Sequence, residues 1–185
     1  MNKKAMGVGQ VFVFIIAAIT FSLIMIFGYR TISNFLINAE KVEFVKFKTD
    51  LESSVQKIYT EYGAVRIKQF QVPGKYEQIC FVDMDTPSSP KEMADLCTKD
   101  ALACSVWQDA QTKDDNGKIK GYNGVEQNVF LKPTSSTPLK VFRISLSDSD
   151  GNPLGFLCQD IHQSTFRIVL EGRGDRTEIS PSPRE

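Results

Sequence analysis

The sequence is short of the groups that most catalytic and metal sites need. It has one histidine, His162, and one tryptophan, Trp107, in 185 residues. A Ser-His-Asp or Cys-His arrangement would have to use His162. Ser164 and Asp160 stand two residues to either side, a spacing that shares a strand face without building a triad. No Gly-rich phosphate loop follows a strand pattern, no C-x-x-C pair occurs, and no nucleophile motif is present, so the chain reads as a non-enzyme without a cofactor. Asp148-Ser149-Asp150-Gly151-Asn152 has half of a calcium-loop pattern but lacks the closing bidentate Glu, and turn-forming acids explain it more simply. Arg173-Gly174-Asp175 is a tripeptide read by some adhesion receptors. Its glycine is explained by a turn after a strand.

Net charge is also missing. Twenty-two basic residues balance 22 acidic ones, which leaves no basic stripe for a phosphate backbone and excludes nucleic acid as the expected partner. Internal repeats are absent. Thirteen phenylalanines and five tyrosines argue against disorder.

The most telling absence is local: no charged residue occurs from 5 to 29. Lys3 and Lys4 precede this stretch and Arg30 closes it. Its core, VFVFIIAAITFSLIMIFGY (11–29), is close to the ~20 apolar residues that cross a bilayer as a helix. Phe27 and Tyr29 suit the interfacial aromatic belt. The run is longer than a cleaved signal core and has no small-x-small site after it, so a retained anchor is expected. Lys3 and Lys4 orient the amino terminus toward the cytoplasm by the positive-inside rule, with the remainder outside.

Beyond Arg30 apolar residues recur at Ile32, Phe35, Leu36, Ala39, Val42, Phe47, Leu51, Val55, Ile58 and Tyr62. Steps of three and four mark one helical face, and Gly63 has the form of a C-cap. Residues 41–48 alternate like a strand as well, but the flanking pattern favours one helix of ~85 Å from 5 to 62. Its apolar stripe needs cover, from the protein's own sheet or from the same helix in another subunit.

The rest predicts a β-rich domain. VRIKQFQV (65–72) and YEQICFV (76–82) flank Pro73-Gly74 and read as a hairpin laid on the helix. Ser89-Pro90-Lys91-Glu92 has the form of a capping box, opening a short helix with a second piece from Asp100 through Trp107. Residues 112–124 form a polar loop. Strands are expected at 125–131, 139–146, 154–161 and 164–172, and a frayed tail at 181–185. The expected organisation is a basic segment and membrane helix (1–30), a helical stalk (31–63) and an extracytoplasmic domain (64–180) with a helical insertion at 89–110. The class is α+β, a long N-terminal helix packed on a mainly antiparallel sheet.

Four cysteines, Cys80, Cys97, Cys104 and Cys158, all follow the apolar run. Their even number and outside placement fit two disulfides, against the alternative of four reduced thiols. Of three pairings, Cys80 with Cys158 between strands and Cys97 with Cys104 within the insertion are expected. On one unbroken helix the latter two would stand ~10 Å apart, so this bridge requires a break near residues 98–100. A zinc site is disfavoured by the single histidine and irregular spacing.

Lys3-Lys4-Ala5 followed by MGVGQVFVFIIAAITF resembles the N-terminus of type IV pilins, archaeal pilin-like proteins in particular. The resemblance covers residues 1–63 in pattern and the rest in architecture only. It implies cleavage between Ala5 and Met6, with Lys4 as the basic residue before the cut. It also implies helix bundling through Gln10, Ala17 and Ala18, where small residues permit close approach. The fifth mature position, often Glu in that family, is here Gln10, which keeps a hydrogen bond but not an ion pair. The chain is also similar to small archaeal membrane proteins that share ICFVD (79–83) and LEG-x-GD (170–175), a likeness that supplies no activity. The expected role is structural: a pilin-like or pseudopilin-like subunit of a surface filament, partnered by the bilayer and by like subunits. The alternative is a monomeric membrane-tethered domain that binds a ligand or protein.

Overall fold

The computed structural model describes residues 7–113 and 117–182. The side-chain surroundings of 7–10 and 33–38 lie outside that description. The class is α+β, with an apolar N-terminal helix and a mainly antiparallel sheet domain. The chain divides into two compact units, Met1–Val42 and Glu43–Glu185.

Helix α1 runs Gly7–Tyr59. In the first unit its apolar side chains are exposed: Phe12, Ile24 and Phe27 each show more than 60 % of their surface, and Val42 shows 54 %. In the second unit Phe47, Leu51, Val55 and Ile58 are buried, a spacing of four, four and three that keeps one helical stripe inward. Val45 is exposed, so the strand-like alternation of 41–48 yields to the helical face. Tyr62 departs from the expected stripe: α1 ends at Tyr59 and Tyr62 is 82 % exposed in the turn beyond. Gly63, past the helix end, has φ of +75°, a conformation that glycine adopts without steric cost.

Two sheets accept that stripe. The larger joins β1 (Val65–Gln71), β7 (Thr165–Gly172), β8 (Thr177–Pro181), β4 (Ile144–Ser147) and β5 (Pro153–Leu154), in that order. The smaller joins β3 (Val129–Lys132), β2 (Gln78–Val82) and β6 (Phe156–Asp160). All named pairings are antiparallel except β4 with β8. Phe47, Phe70, Phe81 and Phe166 meet in the main core. Phe166 lies edge-on to Phe47 at 6.1 Å and stacked on Phe70 at 5.3 Å, geometries in which aromatic pairs contribute ~0.5–1.5 kcal/mol beyond burial.

Strand β2 is buried on both faces. Ile79 and Phe81 enter the α1 core; Cys80 and Val82 enter a second cluster with Leu96, Ala103, Trp107 and Phe130. That second cluster sits under α2 (Pro90–Lys99) and α3 (Ala101–Ala110). The α2 capping box forms as expected: Glu92 N–H donates to Ser89 Oγ, and the Glu92 carboxylate accepts from the Ser89 N–H. The hydrogen bond from the Ser89 hydroxyl holds the Glu92 carboxyl below its ordinary range.

Several expected elements are corrected. The 65–72 and 76–82 strands are not a hairpin: β1 pairs with β7, β2 with β3 and β6. The backbone on either side of Pro73-Gly74 is claimed by different strands, since Val72 N–H donates to Ser164 O and Glu77 N–H to Lys132 O. The 125–131 strand begins only at Val129, because Asn128 turns its side chain to the Val141 backbone, accepting its N–H at 2.9 Å and donating to its carbonyl at 3.3 Å. That same crossing holds 139–143 out of β4, which starts at Ile144. The 154–161 strand is split at Gly155 between the two sheets. Pro181, placed in the frayed tail, pairs with Ile168 as the end of β8.

Candidate functional site

The feature that the chain most visibly displays is the exposed apolar segment of α1. Val11–Ile32 is 22 residues long, has mean hydropathy 2.8 and contributes nothing to the interior. At ~1.5 Å per residue it spans ~33 Å, matching a hydrocarbon core of ~30 Å. The Ser and Thr hydroxyls in it are internally satisfied. Thr20 Oγ1 donates to Ile16 O at 3.0 Å, Ser22 Oγ to Ala18 O at 2.8 Å and Thr31 Oγ1 to Phe27 O at 2.9 Å. Such back-bonding removes the cost of placing a hydroxyl in lipid. The segment is therefore suited to be a membrane anchor.

Of the residues tied to processing and assembly, Ala17 and Ala18 are exposed on this helix. Gln10 lies in α1, its side-chain surroundings outside the description, and Lys4, Ala5 and Met6 lie outside the described residues.

The cysteines come together in two pairs. Cys80 and Cys158 face each other across β2 and β6 in register, bonded with Cα atoms 4.0 Å apart. Cys97 and Cys104 are bonded with Cα atoms 4.8 Å apart. The required break is Asp100, which ends α2 and caps α3: its N–H donates to Leu96 O, and its carboxylate accepts from Ala103 N–H at 2.9 Å.

Most of the residues with chemically useful side chains are engaged locally. His162 is exposed in the turn between β6 and β7, its backbone bonded both ways to Thr165. Asp160 accepts from Gln78 Nε2 at 3.0 Å. Asp148 closes its own loop, taking the N–H groups of Asp150 and Asn152 and the Asn152 amide at 2.8–2.9 Å. Arg173 is bonded to Glu178 and paired with Glu171, while Asp175 is paired with Arg176; the tripeptide's charged ends are both engaged. Trp107 is fully buried against Phe156. Among the described residues no group of three or more His, Cys, Asp or Glu is placed to hold a metal ion.

Two features escaped the sequence reading. One is Asp83, a buried carboxylate beside the second core. It accepts from Thr86 Oγ1 at 2.7 Å and from the N–H groups of Asp85 and Thr86 at 3.0 and 3.3 Å. Burial pushes its carboxyl above the usual range, and those hydrogen bonds offset only part of the shift. A carboxyl that titrates higher when folded holds its proton better in the folded state. Stability thus declines as pH rises from the unfolded value through the raised folded one, and the penalty is complete above it. Asp83→Asn is expected to be as stable as the wild type or more so at pH 7. That advantage should vanish as pH falls into the carboxylate range, as urea unfolding at a series of pH values would read. An advantage that is constant with pH would refute the assignment.

The other is a cleft of about 300 Å³ lined by Asp85, Lys118, Lys120, Arg143, Asp175 and Arg176 among others. Its members come from four separate stretches of chain, so no local motif announces it.

Compared with protein families, curated proteins and solved structures, the chain matches none.

Proposed function

We propose that the chain is a pilin-like subunit, held in the membrane by Val11–Ile32 and carrying an extracytoplasmic disulfide-bonded domain. One observation carries the reading. Helix α1 continues without interruption from an apolar, wholly exposed segment into a stripe that forms the core of a mainly antiparallel domain. A simple anchor needs no such continuity, whereas a subunit that bundles by its N-terminal helix uses one continuous element for both tasks. Lys3 and Lys4 support a cytoplasmic amino terminus. Two disulfides support an oxidising compartment for the domain.

On this reading, Lys4-Ala5-Met6 is the processing junction, and Gln10, Ala17 and Ala18 face neighbouring helices. The partners are the bilayer and further copies of the same chain. Intact-mass analysis of protein from native membranes is expected to show loss of residues 1–5, and gentle detergent extraction to give oligomers or filaments. Ala17→Leu with Ala18→Leu keeps the segment apolar, so insertion should persist while oligomers are lost. A full-length monomer that retains Met1 would overturn the proposal. It would favour the second reading, a tethered monomeric binding domain, for which the Arg143–Arg176 cleft is the supporting observation.

A further inference from the structure

The two disulfides stand in unequal surroundings. Cys80–Cys158 lies mid-strand, between the facing pairs Ile79 with Gln159 and Phe81 with Leu157 of the β2–β6 ladder. Cys80 is 2 % exposed and belongs to the second core, against which Cys158 packs. Cys158 is half-buried, but the ladder holds Cys80 opposite it. A broken bond there recloses unless the strands part, and β2 is buried on both faces.

Cys97–Cys104 lies instead at a joint. Cys97 stands in the last turn of α2, half-buried and outside both core clusters, and Thr98 and Lys99 beyond it are exposed. Cys104 stands in the first turn of α3 and is 7 % exposed. The backbone between the two helices is Asp100 alone. Its N–H donates to Leu96 O at 2.8 Å, its carboxylate accepts the Ala103 N–H at 2.9 Å, and its carbonyl accepts the Cys104 N–H at 3.0 Å. No strand ladder crosses this joint, so it can open locally while both sheets stay whole.

We propose that Cys97–Cys104 is a thiol-exchange site, open to a small thiol in the folded state, whereas Cys80–Cys158 exchanges only on unfolding. Access to one sulfur decides the direction of exchange, and access favours Cys97 over the buried Cys104. The attacking thiolate bonds to Cys97 Sγ. The Cys97–Cys104 bond breaks, and its electron pair leaves on Cys104, which takes a proton from water. A second thiolate attacks the sulfur that the first brought in, and Cys97 is released and protonated likewise. Two small thiols become one small disulfide, and their two electrons reduce the bond. The reverse sequence, begun by the small disulfide, restores it. Before the second step Cys104 stands next to the mixed disulfide and recloses the bond, so that intermediate accumulates only where Cys104 is absent. Exchange makes the α2–α3 cover of the second core the part of the domain that reads the redox state of its surroundings. The site lies within Glu43–Glu185 and does not depend on filament assembly.

The test uses the full chain in detergent at about pH 8, where small thiols are partly ionised. Dithiothreitol is added in excess at several urea concentrations below the unfolding transition. Free thiols are blocked at intervals and each cysteine is mapped by mass. Cys97 and Cys104 should be freed together, at a rate that does not change with urea. Without urea, Cys80 and Cys158 should be freed more slowly by about tenfold or more, and their rate should climb with urea as the unfolded fraction does. The chain opened at Cys97–Cys104 alone should still unfold cooperatively. In a second arm, Cys104→Ser treated with oxidised glutathione without urea should carry glutathione on Cys97. Cys97→Ser should leave Cys104 unmodified until urea is added, because a buried thiol is inert. Release of all four cysteines in step with unfolding, earlier release of Cys80 and Cys158, or modification of Cys104 as readily as of Cys97 would overturn the proposal.

Discussion

Gly172→Ala is expected to lower the stability of the second unit by about 3 kcal/mol or more, at the upper end of what overpacking costs. Gly172 ends β7 where that strand meets the last turn of α1. A Cβ there would lie 2.2 Å from the carbonyl oxygens of both Ile58 and Glu61 and 2.9 Å from the Glu61 carbonyl carbon. These are backbone atoms, so no rotamer change can clear them. The turn is also fastened from both sides. Glu61 N–H donates to Ile58 O, Ala64 N–H to Glu61 O, Gly63 N–H to Gly172 O, and Gly172 N–H to Ala64 O, all at 2.8–3.0 Å. Admitting one methyl means parting β7 from the helix end and losing several of these bonds together.

Gly151 offers the contrast. It has φ of +83° but nothing within 4 Å of an added Cβ, so Gly151→Ala meets backbone strain alone, about 1 kcal/mol. Urea unfolding in detergent, followed by the fluorescence of Trp107, distinguishes the two. Trp107 is the one tryptophan of the chain and is fully buried, so its emission reports the folded unit directly. A Gly172→Ala loss no greater than that of Gly151→Ala would mean that the 58–64 turn yields, and would remove the argument from close approach.

Sequence pattern carried the elements of this fold further than their pairings. The charge-free run, the helical stripe through Ile58, the capping box at Ser89 and the strand at 65–71 are all set by residues within a few positions of one another, and each is legible for that reason. Strand partners are not local. Phe70 and Val72 alternate in the same way whether β1 pairs with β2 or with β7, and the choice rests on Val72 and Glu77 bonding to strands ~90 and ~55 residues away, contacts that no hydrophobic period encodes. Gly155 looks like an ordinary residue within an apolar run. It stands where the run passes from one sheet to the other, and it is held to glycine because an added Cβ would lie 2.5 Å from the Trp107 ring, a neighbour 48 positions earlier in the chain. The arginine cleft escaped for the same reason: Arg143 and Arg176 become neighbours only through the parallel register.

The apolar stripe of α1 raised the question of what covers it. From Phe47 to Ile58 the answer is the protein's own sheets, with each inward residue at 2 % exposure or less. The described part of the α1 stripe that the sheets leave uncovered lies in the first unit, where Val11–Ile32 and Val42 are exposed. Lipid is an environment that an exposed segment of this length and hydropathy fits. This is why the processing and assembly tests bear on residues 5–18 rather than on the domain.

The second large effect is expected from the disulfides, and the two should differ. Removing Cys80–Cys158 by Cys80→Ala with Cys158→Ala opens a loop of 78 residues, against 7 for Cys97–Cys104. Loop-closure entropy alone assigns about 4.5 kcal/mol to the first and about 2.4 kcal/mol to the second. Local structure widens the gap. Cys80 is buried in the second core and its bond ties the middle of β2 to β6, so its loss loosens the strand that both cores share. The Cys97–Cys104 corner keeps its shape without sulfur, because Asp100 caps α3 with its carboxylate and closes α2 with its N–H. The measured order of destabilisation by urea should therefore be Cys80/Cys158 well above Cys97/Cys104, and reduction of the wild type should reproduce the sum. Equal losses, or a larger loss at Cys97/Cys104, would refute both the loop argument and the placement of β2 at the centre. If the larger effect holds, reduction would remove stability comparable to the whole of a marginal domain's reserve, so the fold of Glu43–Glu185 would depend on an oxidising environment.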